Sequence, residues 1–272
     1  MLFLLCGVSL PSLSGLLVFP FSLLPEKYEV AYRIALPTFF LILSIISSRF
    51  ISYRIYSKIL FSFFAASIAI NLQVASAYPR LELTPIDNLV LRMLMSTGLV
   101  VISLIILQRV SGDKPHDIFI SKGNTRLGLI LGLAGFFIFA LVSIPLATSQ
   151  FQGQDLSISR VLTWSPLILV MVLANGVREE LLYRGIFLKK YEPVLGSRCS
   201  NLLQAIIFSL SHSVAGRGNI TYTPFLIVLI LQTFLLGLAW GYIMQRTDSM
   251  LGSILFHAGS DIAIFLGIFS NL

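Results

Sequence analysis

The chain has 272 residues, of which 56% are hydrophobic and only 11% are charged, whereas a soluble domain carries roughly 25% charged residues. Together with a mean hydropathy of +0.90, this composition excludes a soluble protein and predicts an all-α polytopic transmembrane helical bundle. The net charge of +7 does not indicate a nucleic-acid partner, because the Lys and Arg residues lie in short loops and form no basic patch interleaved with aromatic residues.

About eight to nine apolar stretches are long enough to cross a bilayer, which takes about 20 residues each. They are predicted near residues 1–23, 31–48, 58–77, 88–108, 127–147, 161–188, 199–214, 223–244 and 250–270. Short polar clusters separate them, and none of these clusters is long enough to form a soluble domain. The GxxxG spacings at Gly128–Gly132 and Gly237–Gly241 predict close packing between helices.

Positively charged residues alternate between richer and poorer loops along the chain. The richer loops contain Arg49, Arg54 and Lys58, then Arg109, Lys114, Lys122 and Arg126, then Lys189, Lys190 and Arg198, and finally Arg246. The poorer loops contain Lys27, Arg80, Arg160 and Arg217. The positive-inside rule therefore predicts that the loops 109–126 and 189–198 face the cytoplasm and that the C-terminus lies outside.

The segment VREELLYRG, residues 177–185, places charges inside an otherwise apolar helix. If this helix continues to Lys189 and Lys190 at the interface, Glu179 lies about 15 Å deeper, close to the bilayer midplane. A charge at that depth costs roughly 2.5–3.5 kcal/mol, and ionisable residues inside membranes are functional by default. The segment is therefore a candidate site.

The spacing within this segment separates the two glutamates. Glu180 and Arg184 are four residues apart, so they share a helix face and are expected to form an ion pair. Glu179 is rotated about 100° away from Glu180 and has no partner from its own turn. We therefore expect its partner to come from another helix.

Two of the three histidines lie in apolar helices, whereas His116 lies in a polar loop and is expected to be solvated. The sequence FSLSH places Phe208 one turn before His212, and HAGSD places His257 and Asp261 four residues apart. Counted from the predicted helix ends, both histidines lie about 12–20 Å deep. This depth matches the expected depth of the glutamates and predicts one polar cluster.

A carboxylate and an imidazole can hold and deprotonate a water, and a second imidazole can donate to a developing oxyanion. Such a set is suited to peptide hydrolysis. The same residues could instead bind Zn²⁺ or relay protons in a transporter, and spacing alone does not decide between these. The absence of an H-E-x-x-H motif disfavours a standard zinc protease site, and the lack of paired broken helices in the two halves disfavours a transporter.

The motifs EELLYR (179–184), FSLSH (208–212) and HAGSD (257–261), in that order, resemble those of the CAAX prenyl protease 2 family, also called the CPBP or Abi family. The resemblance implies a membrane-embedded endopeptidase with a variable transmembrane region at 1–124 and a catalytic transmembrane core at 125–272. It also implies a membrane-associated peptide or protein as substrate, within or on the lipid bilayer. We expect a prokaryotic plasma-membrane protein whose site opens to the cytoplasm.

The resemblance also implies roles for individual residues. Glu179 would be the general base, His212 would orient and activate the water, and His257 and Asp261 would hold the oxyanion or the water. Asp261 stands where the eukaryotic prenyl-protein proteases have Asn, and an ionised Asp can only accept hydrogen bonds. This difference weakens the inference that the substrate is a prenylated CAAX protein.

Supporting roles fall to Glu180, Arg184 and Phe208. Because Glu180 is expected to be tied to Arg184, we favour metal-free hydrolysis with no cofactor. The alternative is Zn²⁺ or another divalent metal bound by Glu179, His212, His257 and Asp261. The alternative function is a non-catalytic membrane scaffold or bacteriocin-immunity protein of the same fold.

Overall fold

The computed structural model describes residues 1–13, 28–75, 84–151, 153–212 and 223–272. Within these ranges the chain forms nine α-helices and no strand, as the apolar composition predicts. The helices are α1 (Leu2–Leu13), α2 (Glu29–Arg49), α3 (Arg54–Ala75), α4 (Pro85–Val110), α5 (Thr125–Phe151), α6 (Ile158–Glu179), α7 (Leu188–His212), α8 (Thr223–Thr247) and α9 (Leu251–Ser270). A π-helical turn, Glu180–Gly185, follows α6 directly.

Seven of the described helical segments are long and apolar enough to cross a membrane, which confirms the polytopic helical class. The two that are not among them are α1 and α7. Of the first predicted span, the structure describes the helix Leu2–Leu13, and residues 14–23 lie outside the described residues. Helix α7 is interrupted at Gly196, whose φ of 72° is not helical, and its first half is polar. The predicted span 199–214 therefore corresponds to the second half of a longer, broken helix.

The sixth span does not continue as one helix to Lys189, and this expectation was wrong. Helix α6 ends at Glu179, the π-helical turn ends at Gly185, and α7 begins at Leu188. The chain turns at Ile186 and Phe187, which are buried in the core at 0% and 3% exposure, and the backbone N–H of Phe187 donates to the carbonyl oxygen of Arg184 at 3.1 Å. Glu179 consequently lies six residues from the end of its span at Gly185, or about 9 Å along the helix axis, whereas the sequence predicted about 15 Å.

The described loops that are rich in Lys and Arg meet at one end of the bundle, which we call the basic end. Lys189 Nζ lies 2.6 Å from Asp248 Oδ1, which joins the start of α7 to the α8–α9 turn. Lys58 Nζ lies 2.9 Å from Asp113 Oδ1, which joins α3 to the loop after α4. Lys27, Arg80 and Arg217, which were assigned to the opposite side, lie outside the described residues. The cytoplasmic orientation of the basic end stays a prediction.

Helix α9 lies in the core of the bundle, packed against α5, α6 and α8. The GxxxG prediction of close packing is confirmed for α5, since a Cβ on Gly132 would lie 2.7 Å from the carbonyl oxygen of Gly252 on α9. It is also confirmed for α8, where a Cβ on Gly237 would lie 3.3 Å from the Cα of Ala205 on α7. A Cβ on Gly176 of α6 would lie 3.1 Å from the carbonyl oxygen of Ile254, so α9, with its histidine and aspartate, also packs closely against the charged end of α6.

Candidate active site

Four of the residues singled out in the sequence converge from α6, α7 and α9. Glu179 Oε2 lies 3.6 Å from His257 Nε2 and 3.9 Å from His212 Nε2. Asp261 Oδ2 lies 3.6 Å from the same nitrogen of His257. Three helices that are distant in sequence therefore place two carboxylates and two imidazoles around one small volume.

Glu179 does have a partner from its own turn, contrary to expectation. Arg178 Nη2 donates to Glu179 Oε1 at 3.0 Å, and Arg178 Nη1 donates to Ser96 Oγ on α4 at 3.1 Å. The second carboxylate oxygen, Oε2, is buried and makes no hydrogen bond within the described part of the chain. Arg178 thus fixes one oxygen of Glu179 while the other faces the two imidazoles.

Arg178 also connects Glu179 to Asp261 through Asn175. Arg178 Nη2 donates to Asn175 Oδ1, and Asn175 Nδ2 donates to Asp261 Oδ2 at 2.7 Å. Asp261 therefore hydrogen-bonds to α6, whereas its 3.6 Å separation from His257 Nε2 is too long for a direct hydrogen bond. Neither Arg178 nor Asn175 was singled out in the sequence. The charge of Arg178, next to the motif, was the available signal.

The hydrogen bonds of the two histidines determine which ring nitrogen faces Glu179. His257 Nδ1 lies 2.8 Å from Glu180 Oε1, and His212 Nδ1 lies 2.9 Å from the carbonyl oxygen of Phe208. Both partners only accept, so each Nδ1 carries a hydrogen. In the neutral form of each ring, Nε2 then presents a lone pair toward Glu179.

The expected ion pair between Glu180 and Arg184 is present and fully buried. Arg184 Nη1 lies 2.5 Å from Glu180 Oε1, and both side chains are 0% exposed. The same Oε1 accepts from His257 Nδ1. Although Glu179 and Glu180 were expected to point apart, both face the His257 ring: Glu180 accepts from Nδ1, and Glu179 Oε2 lies 3.6 Å from Nε2. This happens at the π-helical turn that begins with Glu180. Such turns are frequent at functional sites.

Aromatic rings enclose Arg184 and the two histidines. The Arg184 guanidinium lies 4.4 Å from the ring centre of Phe208 and 4.9 Å from that of Trp240, within the range of a cation–π interaction. Trp240 stacks on His257 with ring centres 3.9 Å apart and planes 7° apart, and Phe208 lies 4.3 Å from His212. Trp240 was not predicted, because a tryptophan in the apolar helix α8 looks like an ordinary core residue.

The chemistry of the donor atoms is compatible with zinc, because imidazole Nε2 and carboxylate oxygen are both zinc ligands. Their arrangement fits less well. In the described ranges, no group of three or more His, Cys, Asp or Glu residues is placed to hold a metal ion. His116 lies away from the site, with Nε2 3.0 Å from Asp248 Oδ2 and a side chain that is 63% exposed, as expected for a solvated loop residue.

Residues 161–263 match the family model described as "Type II CAAX prenyl endopeptidase Rce1-like". No curated protein and no solved structure matches the chain significantly. The matched segment contains all three motifs and lies within the predicted core 125–272, whose boundary at 125 stays a prediction. The resemblance inferred from the motifs is confirmed over residues 161–263, which are similar to the Rce1-like type II CAAX prenyl endopeptidases.

Proposed function

We propose that this integral membrane protein hydrolyses a peptide bond of a membrane-associated protein or peptide, with Glu179 as the base that activates water. The observation that carries the proposal is the position of Glu179 Oε2, which is buried and lies within 3.9 Å of two imidazole nitrogens. The alternative, a non-catalytic scaffold or immunity protein, is not favoured, because the family is one of endopeptidases.

The spacing of these atoms suits one shared water. Atoms separated by 3.6 and 3.9 Å are too far apart to bond directly, but each can reach a common water at about 2.8 Å. Glu179 takes a proton from this water, and the hydroxide oxygen attacks the carbonyl carbon of the substrate. The carbonyl electron pair moves to oxygen, and the resulting oxyanion then collapses and expels the amine. Glu179 returns its proton to the leaving nitrogen, so the carboxylate is regenerated.

His257 and Asp261 are suited to the oxyanion side of the reaction. Because its Nδ1 hydrogen goes to Glu180, His257 can donate from Nε2 only as an imidazolium. The carboxylates of Glu180 and Asp261 lie beside this ring and provide counter-charges. A fixed donor aimed at a developing oxyanion typically contributes about 2.7–4 kcal/mol to transition-state stabilisation. His212, held by the Phe208 carbonyl, orients the water from the opposite side.

Arg178 acts in this scheme as a positioning residue. We expect Arg178→Gln to slow cleavage about 100-fold, because Glu179 loses the contact that holds Oε1 and a misplacement of about 1 Å is that costly. Arg178→Lys keeps a charged donor and should restore part of the rate, which a purely structural role would not predict. The rate is measured as the appearance of Glu179-dependent termini in membranes.

The matched control for Arg178 is Arg160→Gln on the same helix. Arg160 pairs with Asp155, and both side chains are largely exposed. This variant should cleave at the wild-type rate. Equal loss of cleavage in the Arg160 and Arg178 variants would contradict the positioning role, as would an Arg178→Gln protein that cleaves normally.

Hydrolysis without a metal is also a testable part of the proposal. We expect the purified protein to carry no stoichiometric zinc and to keep its activity after dialysis against a chelator, since Glu179 and the two histidines activate the water themselves. Elemental analysis of the wild type and of His212→Ala provides the measurement. Stoichiometric zinc that is lost with His212→Ala would contradict the metal-free mechanism and favour the divalent-metal alternative.

The function itself is tested by comparing protein N- and C-termini in membranes of the native host. One membrane sample contains the wild type, and the other contains Glu179→Gln at the same expression level. Specific termini that occur only with the wild type would establish proteolysis and identify the substrates. Identical termini in both samples would contradict the proposal and favour the scaffold alternative.

A further inference from the structure

A second polar centre lies at the basic end of the bundle, away from the candidate active site. It is a cavity of about 600 Å³ between the start of α3, the loop after α4 and the start of α7. Its charged lining residues are Arg54, Lys58, Lys189, Lys190, Asp113 and Asp117. Four cations thus face two carboxylates of the lining, and a third carboxylate, Asp248, pairs with Lys189 from outside it, which leaves one net positive charge.

Asp113 neutralises only part of this charge. Its Oδ1 lies 2.9 Å from Lys58 Nζ and its Oδ2 lies 2.9 Å from Lys190 Nζ, while its side chain is only 1% exposed. Burial alone would raise the pKa of Asp113, but the charges and hydrogen bonds of the two lysines outweigh burial and hold the pKa below its usual value. Asp113 is therefore an anion at neutral pH, and two lysines share its single negative charge.

The excess positive charge lies at the mouth of the cavity. Arg54 is exposed and, among the described residues, makes no ion pair. The Lys58 side chain is 56% exposed, so its ammonium group can turn toward a ligand. The Asp117 carboxylate is held in place, because its Oδ2 accepts a hydrogen bond from the backbone N–H of Lys114 at 2.8 Å. The mouth thus presents two accessible cations.

The cavity opens at the level expected for lipid headgroups. The turn between α2 and α3, which leads directly into Arg54, exposes Phe50 at 56%, Ile51 at 93% and Tyr53 at 57%. Tyr side chains at the ends of transmembrane helices are enriched at the membrane–water interface, and Tyr53 occupies such a position beside the exposed apolar side chains. The adjacent cations therefore lie where the phosphates of the bilayer begin.

We propose that this cavity binds the phosphate group of an anionic lipid headgroup. Basic pockets between transmembrane helices, on the side where cations predominate, are suited to such headgroups. Arg54 can bind two phosphate oxygens at once, and Lys58 can act as a point charge. Lys190 and Asp113 form the fixed inner wall, while the apolar side chains of the α2–α3 turn contact the acyl region. The proposal does not depend on the catalytic assignment.

Ligand binding is tested by thermal unfolding of the full-length protein in an uncharged detergent. The probes are dioctanoyl phosphatidylglycerol, dioctanoyl phosphatidylcholine and inorganic phosphate. We expect phosphatidylglycerol to raise the Tm in a saturable way and phosphatidylcholine to have no such effect. If inorganic phosphate raises the Tm equally, the site is confirmed as a phosphate site, but with a soluble phosphate as its ligand. No increase with any anionic probe would overturn the proposal.

Matched variants locate the binding. A cation near the lipid surface is worth about 1 kcal/mol, so Arg54→Gln should weaken the apparent affinity ~5-fold and Arg54→Gln/Lys58→Gln ~30-fold. The control Lys122→Gln/Arg126→Gln removes two exposed cations at the same end, outside the cavity lining, and should keep the wild-type affinity. Equal weakening in both double variants would mean diffuse surface attraction and overturn the site. Arg54→Gln alone breaks no ion pair among the described residues, so we expect this variant to keep the wild-type Tm without ligand.

Discussion

Replacing Glu179 with glutamine is expected to remove peptide hydrolysis while leaving the protein folded. Loss of a positioned general base typically costs about 10²–10⁴-fold in rate. The glutamine amide has nearly the same shape as the carboxylate. Its carbonyl oxygen can still accept from Arg178, whose Nη2 donates to Glu179 Oε1 at 3.0 Å in the wild type. It cannot take a proton from water. The measurement is the rate at which Glu179-dependent termini appear, at equal protein levels, together with the Tm.

The matched control is Glu29→Gln on α2. Glu29 also pairs with an arginine, Arg33, but at a partly exposed position far from the site in sequence. The same chemical change there should leave the cleavage rate unaltered. If Glu179→Gln cleaved at the wild-type rate with an unchanged Tm, Glu179 would not be the base. If both variants lost cleavage, the loss would not be specific to the site.

The largest effect on stability is expected from Arg184→Met. Removing one partner of a buried ion pair typically lowers the free energy of unfolding by about 3–5 kcal/mol, because the remaining charge stays buried without compensation. Here the remaining charge is Glu180, which is 0% exposed and, among the described residues, keeps only the hydrogen bond from His257 Nδ1. The variant also removes the guanidinium from between Phe208 and Trp240. Denaturant unfolding in detergent micelles measures the change.

A double-mutant cycle separates the ion pair from its surroundings. Once Arg184 is replaced, the further change Glu180→Gln should lower the free energy of unfolding by less than it does in the wild type. The reason is that it then removes a buried charge that has lost its ion-pair partner. The comparison variant Arg33→Met breaks an i, i+4 ion pair that is partly exposed. It should lower the free energy of unfolding by no more than about 1 kcal/mol. Additive effects of Glu180→Gln and Arg184→Met, within about 0.5 kcal/mol, would contradict a coupled buried pair.

The sequence was sufficient for features that depend on composition or on spacing within one helix. The apolar spans follow from composition, and the Glu180–Arg184 pair follows from a four-residue spacing on one face. The GxxxG spacings predicted close helix packing because a small side chain allows it wherever the partner helix lies. The gathering of Glu179 and His257 could be anticipated only from their similar expected depth, combined with the order of the motifs.

Features that depend on tertiary packing could not be predicted in this way. The sixth span ends where Ile186 and Phe187 enter the core, and they pack there against residues of α2, α3 and α4, which are distant in sequence. Arg178 is adjacent to the motif in sequence. That it pairs with Glu179 and not with Glu180 depends on its side-chain conformation and on its hydrogen bond to Ser96 of α4. Trp240 reaches His257 from α8, and no local pattern indicates that contact.

The central claim, that Glu179 activates water for peptide hydrolysis, is tested most directly by isotope incorporation. Membranes containing the wild type or Glu179→Gln are incubated in water enriched in ¹⁸O, and the new protein C-termini are analysed by mass spectrometry. Hydrolysis transfers an oxygen atom from water to each new carboxyl group. We therefore predict ¹⁸O-labelled C-termini with the wild type and none at these positions with Glu179→Gln. Labelled termini that form equally with both proteins would contradict the role of Glu179.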